Sequence, residues 1–561
     1  MTFLAQLQSA WRSLGRFPAH RVTWGLAAVF CVWAVLDVMV FHVSSGLSLP
    51  TYDAMVRARF HTAAADPRVV IVDIDEASLA RMGKEFGQWP WPRDTLATVL
   101  EYIEKQQPAA VVWDMVFSDA DLQNPGGDAA FNIAAQQSPH SHFSVVRLPP
   151  ANDPQSQITR TVLPGLWVKA AAPVATVVPT SVSHTSTVAL IPPALPVVAA
   201  SRLGYNNGYV DGDGVLRRYR YAERLGDGSV IQSLSLSVLS AMDTVAASAL
   251  AAKASTPSAS KTGDTLIAYR AVANTYPRVA FADVFTVAEG GAPQAPVPSF
   301  AGKVVIVGST APSLHDIHPT PLSPHQNGVD SLATALDNAL NQRYVHELPQ
   351  ALLALVACVL FIGMALWVGV RGVSSLAPVT LVLPAVLLGI SYLTLNGSPV
   401  FVDLHLSAGL GLLFLASLRT WNGLRRDYWC RMPRVRVKDP EPMLAWVIVG
   451  NTPWVDAHFD RLLSAVQKHA PQCRVVAVDA VAVWPSRLHW PELACVAAVV
   501  GPASALQLGW AGLQTALAPM LASHAPLPLC DVTPETLLPT LFRGWSVLQN
   551  SVTNHATERP P

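Results

Sequence analysis

The chain has 561 residues, of which 51% are apolar and only 14% charged, against roughly a quarter charged in an ordinary soluble protein. So much apolar side chain with so little charge excludes a disordered chain, and 38 basic residues balancing 38 acidic ones leave no net field to draw nucleic acid, so no nucleic-acid partner is expected. At about 150 residues per domain the length implies three or four units, and the apolar excess must be concentrated, which points to a membrane.

Residues 1–21 carry Arg12, Arg16 and Arg21 and read as a cytoplasmic N-terminus. Val22–Ser44 is the first long apolar run. At 1.5 Å per residue about 20 residues cross a hydrocarbon core of about 30 Å. The run is longer than a signal-peptide core and no A-x-A site follows closely, so it reads as an uncleaved anchor. Asp37 lies inside it and is expected to bond to another helix and fix the packing of the bundle.

Residues 45–348 form a block too long to be a loop, and none of the six cysteines falls in it. Its first strand is read at Val69–Asp75, with a helical stretch from Glu76. The aromatic and proline turn Gln88-Trp89-Pro90-Trp91-Pro92-Arg93 stops that helix. Asp94 is placed as the N-cap of a helix over Thr95–Gln106, and a second strand follows at Ala109–Phe117. This order predicts a mixed α/β sheet. Residues 148–200 read as irregular strands and loops, and Asp211-Gly-Asp-Gly214 as a tight turn. Lys303–Gly308 is a buried strand, and a helix at Val329–Gln342 leads out.

In order, the segments VDIDEASL, WPWPR, AAVVWDMVF, GYVDGDGVLRRYR, GKVVIVGST and GVDSLATALDNAL resemble the CHASE2 domain over residues 50–345. The resemblance implies a periplasmic sensory domain of bacterial membrane proteins, with three closely spaced membrane helices behind it. It implies no particular ligand. The last segment departs from the family pattern: Gly328-Val329-Asp330-Ser331-Leu332-Ala333 lacks the usual histidine, so no role of that histidine carries over.

Three local features of this block have the chemistry of a site. His315, Asp316 and His318, with His325 further on, have the residue types of a zinc or copper site, but histidines beside prolines read as ordinary loop residues. The Asp211–Gly214 turn starts like a calcium loop yet lacks its later acidic ligands. Trp89, Trp91 and Arg93 allow stacking around an anionic ligand. The preferred reading puts both rings in the core and pairs Arg93 with an acid such as Asp73 or Asp75. No metal and no cofactor are expected.

Three more apolar runs follow, at Ala351–Val370, Leu376–Leu395 and Val400–Leu418. Residues 419–440 form a basic segment suited to anionic lipid headgroups. Bases flank the first and fourth runs, so four crossings place both termini in the cytoplasm and the large block outside, in a bacterial inner membrane. Across these three runs the only acid or histidine side chains are Asp403 and His405, too few for an ion path. Residues 441–550 read as strands at Met443–Gly450, Arg474–Asp479, Ala494–Val500 and Pro526–Cys530 alternating with helices, predicting a small parallel sheet. Residues 551–561 read as a frayed tail.

No P-loop, GGDEF run, kinase loop or cyclase carboxylate pair occurs in this last unit, and its first strand lacks the acid pair of a receiver domain, so no catalysis is expected. Trp446, Trp454, Trp484, Trp490, Trp510 and Trp545 are more than such a core needs and suggest anchors for a protein partner. The expected function is a sensory or signal relay, with an envelope scaffold as the alternative. Expected partners are membrane lipids, a cytoplasmic protein, a periplasmic protein (FecR-like proteins, on the family resemblance) and further copies of the chain as a homo-oligomer.

Overall fold

The first apolar run folds as helix α1 (Ala19–Leu36), runs on through a π-helical turn at Asp37–Phe41, and meets α2 (Val43–Arg57) at His42, whose φ is 51°. The computed structural model describes residues 17, 19–168, 187–254, 264–270, 275–371, 376–429, 443–449, 456–477, 496–520 and 527–529. It divides into two units, Met1–Ser44 with Ala351–Gly389 and Leu404–Pro561 in one, Ser45–Gln350 with Ile390–Asp403 in the other. Asp37 corrects its sequence reading. Its carboxylate accepts from the backbone N–H of Val43 at 3.0 Å and of Ser44 at 3.3 Å, and from Ser44 Oγ. It caps the next helix of its own chain segment, where unpaired N–H groups are nearest, instead of bonding to another span.

In the large unit the sheet strands are β1 (Val69–Ile74), β2 (Ala110–Trp113), β3 (Ser141–Arg147), β4 (Leu190–Ile191), β5 (Arg202–Tyr205), β6 (Arg278–Ala280) and β7 (Val304–Ser309). They lie in the order β6-β1-β7-β2-β3, with β3 also bonded to β4 and β5. Every pairing is parallel except β3 with β4. β1 is buried at every position, as a parallel strand covered on both faces must be. On one face Val70, Val72, Val111, Trp113 and Val307 pack under Leu96 and Leu100 of α4 (Arg93–Glu104), Phe131 of α5 (Pro125–Gln137) and Phe281 of α7 (Phe281–Ala288). The other face carries α6 (Leu234–Met242), where Ser237 bonds His142 of β3, and α8 (Gly328–Leu340).

The first helix after β1 is α3 (Glu76–Phe86), with Asp75 as its N-cap, its side chain accepting from Ser78 N at 2.7 Å. Asp94 is not a cap: α4 starts one residue earlier, because Pro92 supplies the turn and its carbonyl takes the Thr95 N–H. Just before α8 lie two short antiparallel hairpin strands, β8 (Ile317–His318) and β9 (Gln326–Asn327), and after it comes a parallel pair, β10 (His346–Glu347) with β11 (Val400–Phe401).

The other unit holds α1, α9 (Gln350–Arg371), α10 (Ala377–Gly397) as far as Gly389, and α11 (His405–Trp429). Among the described residues three helices are long and apolar enough to cross a membrane, His20–Phe41, Gln350–Val370 and Pro378–Gly397. The fourth run begins differently from the sequence reading: Val400–Phe401 is strand, and the helix starts only at His405 and continues through Arg419 and Arg425. Phe30 of α1 packs edge-on against Phe361 of α9 at 5.7 Å and Phe414 of α11 at 5.5 Å. Cys31 and Cys358 face each other, each sulfur 3.9 Å from the other's carbonyl oxygen.

The last sheet holds β12 (Met443–Val449), β13 (Arg474–Ala477), β14 (Val496–Pro502) and β15 (Leu527–Leu529), with α12 (Asp456–His469) and α13 (Ala503–Leu517). Its order is β13-β14-β12-β15 and every neighbouring pair is antiparallel, which overturns the parallel sheet read from the sequence. The β-α-β-β-α-β connectivity in this order is the ferredoxin-like split βαβ arrangement. Each strand–helix–strand crossover skips one position, and the strand of the other crossover fills it in the opposite direction. Trp446 is fully buried and is core, and the half-buried Trp510 packs against it at 4.9 Å. Trp454, Trp484, Trp490 and Trp545, the helix read from Pro534 and the tail lie outside the described residues.

Candidate functional site

The carboxyl ends of β1, β7 and β2 are where a parallel sheet presents loops and helix starts to a ligand. Two polar clusters gather there. In the first, Asp73 of β1 accepts from Thr310 N at 3.0 Å and Thr310 Oγ1 at 2.7 Å, and Arg278 bridges Asp73 at 3.3 Å to Asp330 of α8 at 2.8 Å. Burial pushes both carboxyls up, and Thr310 and Arg278 oppose it at Asp73. This cluster is internally paired and ties β1, β6, β7 and α8 together.

The second cluster is Asp114 at the end of β2, Asn206 after β5, and Asp316 and His318 around β8. Asn206 Nδ2 donates to Asp114 Oδ1, and Asp114 Oδ2 is buried without a hydrogen-bond partner. Burial, and then the Asp316 charge, pushes the Asp114 carboxyl up to about 7. His318 Nε2 stands 3.3 Å from Asp316 Oδ1, and that bond raises the imidazole above its usual range. Of the candidate metal residues, Asp316 and His318 come together, while His325 is exposed and His315 ends a 3₁₀ turn with φ 55°. Among the described residues no group of three His, Cys, Asp or Glu side chains is arranged to hold a metal ion.

Trp91 is core and stacks edge-on with the half-buried Trp89 at 4.8 Å. Arg93 does not pair with Asp73 or Asp75. Its guanidinium meets Asp128 of α5 and the Asp119 carbonyl, because Asp73 is taken by Thr310 and Asp75 caps α3. A groove of about 550 Å³ between α3, α4 and α7 is lined by Arg81, Phe86, Asp94 and Phe285 among others, with Arg81 held by Asp283 at 2.8 Å.

A third arrangement lies beside the two connectors of the large unit. Arg217 is 1% exposed and grips Asp53 of α2 with two bonds of 2.7 Å. It also reaches Asp211 at 3.0 Å and Asp213 at 2.7 Å, so the carboxylates of the Asp211–Gly214 turn face arginine. Arg218 holds Glu347 of β10 at 2.7 Å and Asp211. Burial alone would weaken the proton affinity of Arg217, and the surrounding carboxylates more than reverse it. Asp53 follows the first apolar helix and Glu347 precedes α9, so one turn of chain clamps both connectors.

In the other unit, Arg425 of α11 is fully buried against α12, donating to Ser464 Oγ at 3.0 Å with Asp460 at 3.7 Å. A base read from the sequence only as positive flank is thus a tie between α11 and the small α/β domain. The other residues missed by sequence reasoning had one faint signal each. Asp114 interrupts an apolar strand, and Arg217-Arg218 sit in a strand-like stretch where charge is unusual.

No curated protein and no solved structure matches the chain. The CHASE2 domain matches residues 26–370, more than half of its length. That span takes in the parallel sheet, the Arg217 clamp and apolar helices on either side, and on this match the chain belongs to the CHASE2 domain family, a family of sensory domains.

Proposed function

We propose that this chain is a bacterial inner-membrane signal relay in which the large external domain takes a ligand or partner and biases a cytoplasmic protein-binding domain. The observation that carries this reading is the Arg217–Arg218 clamp on Asp53 and Glu347. A change at the sheet edge has a short path to it: Pro319 O, one residue past His318, accepts from Leu216 N at 2.8 Å. The Arg425 tie suits the receiving end.

Four crossings with both termini inside fit the arginines that flank α1 and follow the apolar part of α11. From His405 to Arg419 α11 rises about 21 Å, so a crossing of a core of about 30 Å draws also on residues 400–404 ahead of the helix and on the Arg419 stem reaching towards the inner headgroups. The ferredoxin-like domain works by binding a protein and not by turnover, as its lack of phosphate-binding and metal-binding motifs suggests.

Topology is tested in a chain without its native cysteines. Gly212→Cys, in an open turn, should react with an impermeant thiol reagent on spheroplasts, and Leu508→Cys, at an 88% exposed site, should not. The reverse pattern sinks the architecture. The relay is tested in nanodiscs by hydrogen exchange: releasing the clamp with Arg217→Met should change protection across residues 456–469. Unchanged protection there, with the external domain still folded, would replace the relay by a static scaffold.

A further inference from the structure

Asp114 is an acid closed in by neutral groups. Gly308 of β7 lies over its unpaired oxygen, so close that a Cβ at Gly308 would stand 3.2 Å from Oδ2. Val329 of α8 crowds the same glycine, at 2.9 Å from that Cβ position. Tyr219, in the strand Arg218–Tyr219, comes near with a phenol that accepts from Ser235. Asn206 supplies the one hydrogen bond. Asp73, Asp330 and Arg278, around the end of β1, are bonded to one another. The charged groups that act on Asp114 are therefore Asp316 and His318, both on the β8–β9 hairpin.

Asp114 and the hairpin lose negative charge together, and shared neighbours join them: His318 Nε2 lies 3.9 Å from the Cβ position of Gly208, two residues past Asn206, and the Asp316 carboxylate packs against Gly328, next to Val329. When the surroundings are alkaline, Asp114 and Asp316 are both carboxylates and His318 is neutral, so β2 and the hairpin repel each other at a site with an unpaired buried oxygen. Taking up one proton at Asp114 removes the repulsion, and a second at His318 completes an ion pair with Asp316. The hairpin is also tied to the connector region, through Pro319 O to Leu216 N at 2.8 Å and through Pro321 O to Arg57 Nη1 of α2 at 2.9 Å.

We propose that Asp114, Asp316 and His318 form a proton-responsive latch that seats the β8–β9 hairpin on the end of β2 and lets the external domain read the pH of its compartment. This rests on the relay reading for its consequence, though not for its chemistry. The sign follows from linkage. The Asp114 carboxyl in the folded chain lies above its unfolded range, so its contribution to the seated hairpin is complete in acid and is lost as pH rises through about 7. His318 is raised as well and acts in the same direction.

The test uses the full chain in nanodiscs, with hydrogen exchange corrected for intrinsic rate between about pH 5.5 and about pH 8.5. Protection of residues 311–327 should fall several-fold as pH rises through the middle of this range. Asp114→Asn, neutral and nearly the same shape, should lose the larger part of this fall and keep only the smaller step that belongs to the His318–Asp316 pair. Asp316→Asn removes the like charge beside Asp114 and the partner of His318, and should move the midpoint to lower pH. A wild-type hairpin with no transition, an Asp114→Asn chain that keeps the wild-type transition, or an unmoved midpoint in Asp316→Asn overturns the latch. Should Asp114→Asn fail to fold, the Asp316→Asn midpoint decides. Exchange in residues 45–57 of the same samples separates the two ideas, since a hairpin transition without any response there keeps the latch and removes the relay.

Discussion

Replacing Arg217 by alanine removes one cation from three carboxylates, and the three do not suffer equally. Asp53 is the costly one: its side chain is 12% exposed and both oxygens are bonded to Arg217 at 2.7 Å. Leaving such a charge buried and unpaired costs about 3–5 kcal/mol. Asp211 keeps Arg218 as a partner. Asp213 is 39% exposed and is solvated once released, so its loss adds under about 1 kcal/mol. The Asp53 cost dominates. For a domain of this size about 2 °C of melting temperature corresponds to 1 kcal/mol, which predicts a fall of about 6–10 °C. The measurement is thermal unfolding of the full chain in nanodiscs, followed by protease cleavage within residues 45–350. Arg217→Lys, which cannot make the paired bonds, should fall between wild type and alanine. The double variant Arg217→Ala with Asp53→Asn should recover part of the loss, because the orphaned charge is gone. A melting temperature for Arg217→Ala no lower than that of the exposed control Arg224→Ala would refute the reasoning.

Other consequences are open to measurement. Arg93→Ala strands Asp128, which also accepts from Asp121 N, and should destabilise the external domain by about 2–3 kcal/mol in urea unfolding. Equal midpoints for variant and wild type would return Arg93 to the ligand-gripping reading. Burial holds the His142 imidazole down to about 3 against Ser237, so its folded form refuses a proton that the unfolded chain takes. Its contribution is present above about pH 6.5 and is lost on acidification at on the order of 1 kcal/mol per pH unit, which His142→Asn should flatten in acid-unfolding curves. This global loss in acid runs opposite to the local gain expected at Asp114. Copper–phenanthroline treatment of native membranes should join Cys31 to Cys358 in one chain, detected by mass spectrometry; free thiols at both positions would mean that α1 and α9 pack differently.

The large sheet was legible wherever one short stretch of sequence holds its own reason for folding. Residues 69–72 are an unbroken apolar run closed by Asp73 and Asp75, and Asp75 caps the next helix, so strand, boundary and helix start are all local. Strand direction in the small domain was not local. Alternating strands and helices suggest parallel neighbours, but the stretch between Asp479 and Ala494 showed no helical pattern, and consecutive strands without a crossover helix pair antiparallel. That was the available signal. The polar sites were the least legible. Arg217 meets Asp53 across 164 residues, and the Asp114 cluster draws on three separate segments, so neither leaves a spacing to read. Arg93 shows the intermediate case: the need for an acid was readable, but its identity depended on which acids the turns had already engaged.

The place of β7 also governs how the domain is made. Val304–Ser309 is inserted between β1 and β2, pairing Val69 with Val304 and Ala110 with the same residue, so the middle of the sheet is the last of its strands to be synthesised. Until then β1 and β2 each present an open, apolar edge, the kind of surface that aggregates or recruits chaperones. Long sequence separation makes this closure slow as well. The next long apolar helix, α9, begins at Gln350, only a few dozen residues later, so the sheet closes at nearly the same stage of biogenesis as that helix emerges. A chain halted anywhere before Val304 therefore has no half-built domain to fall back on, only two separated edges waiting for a common centre.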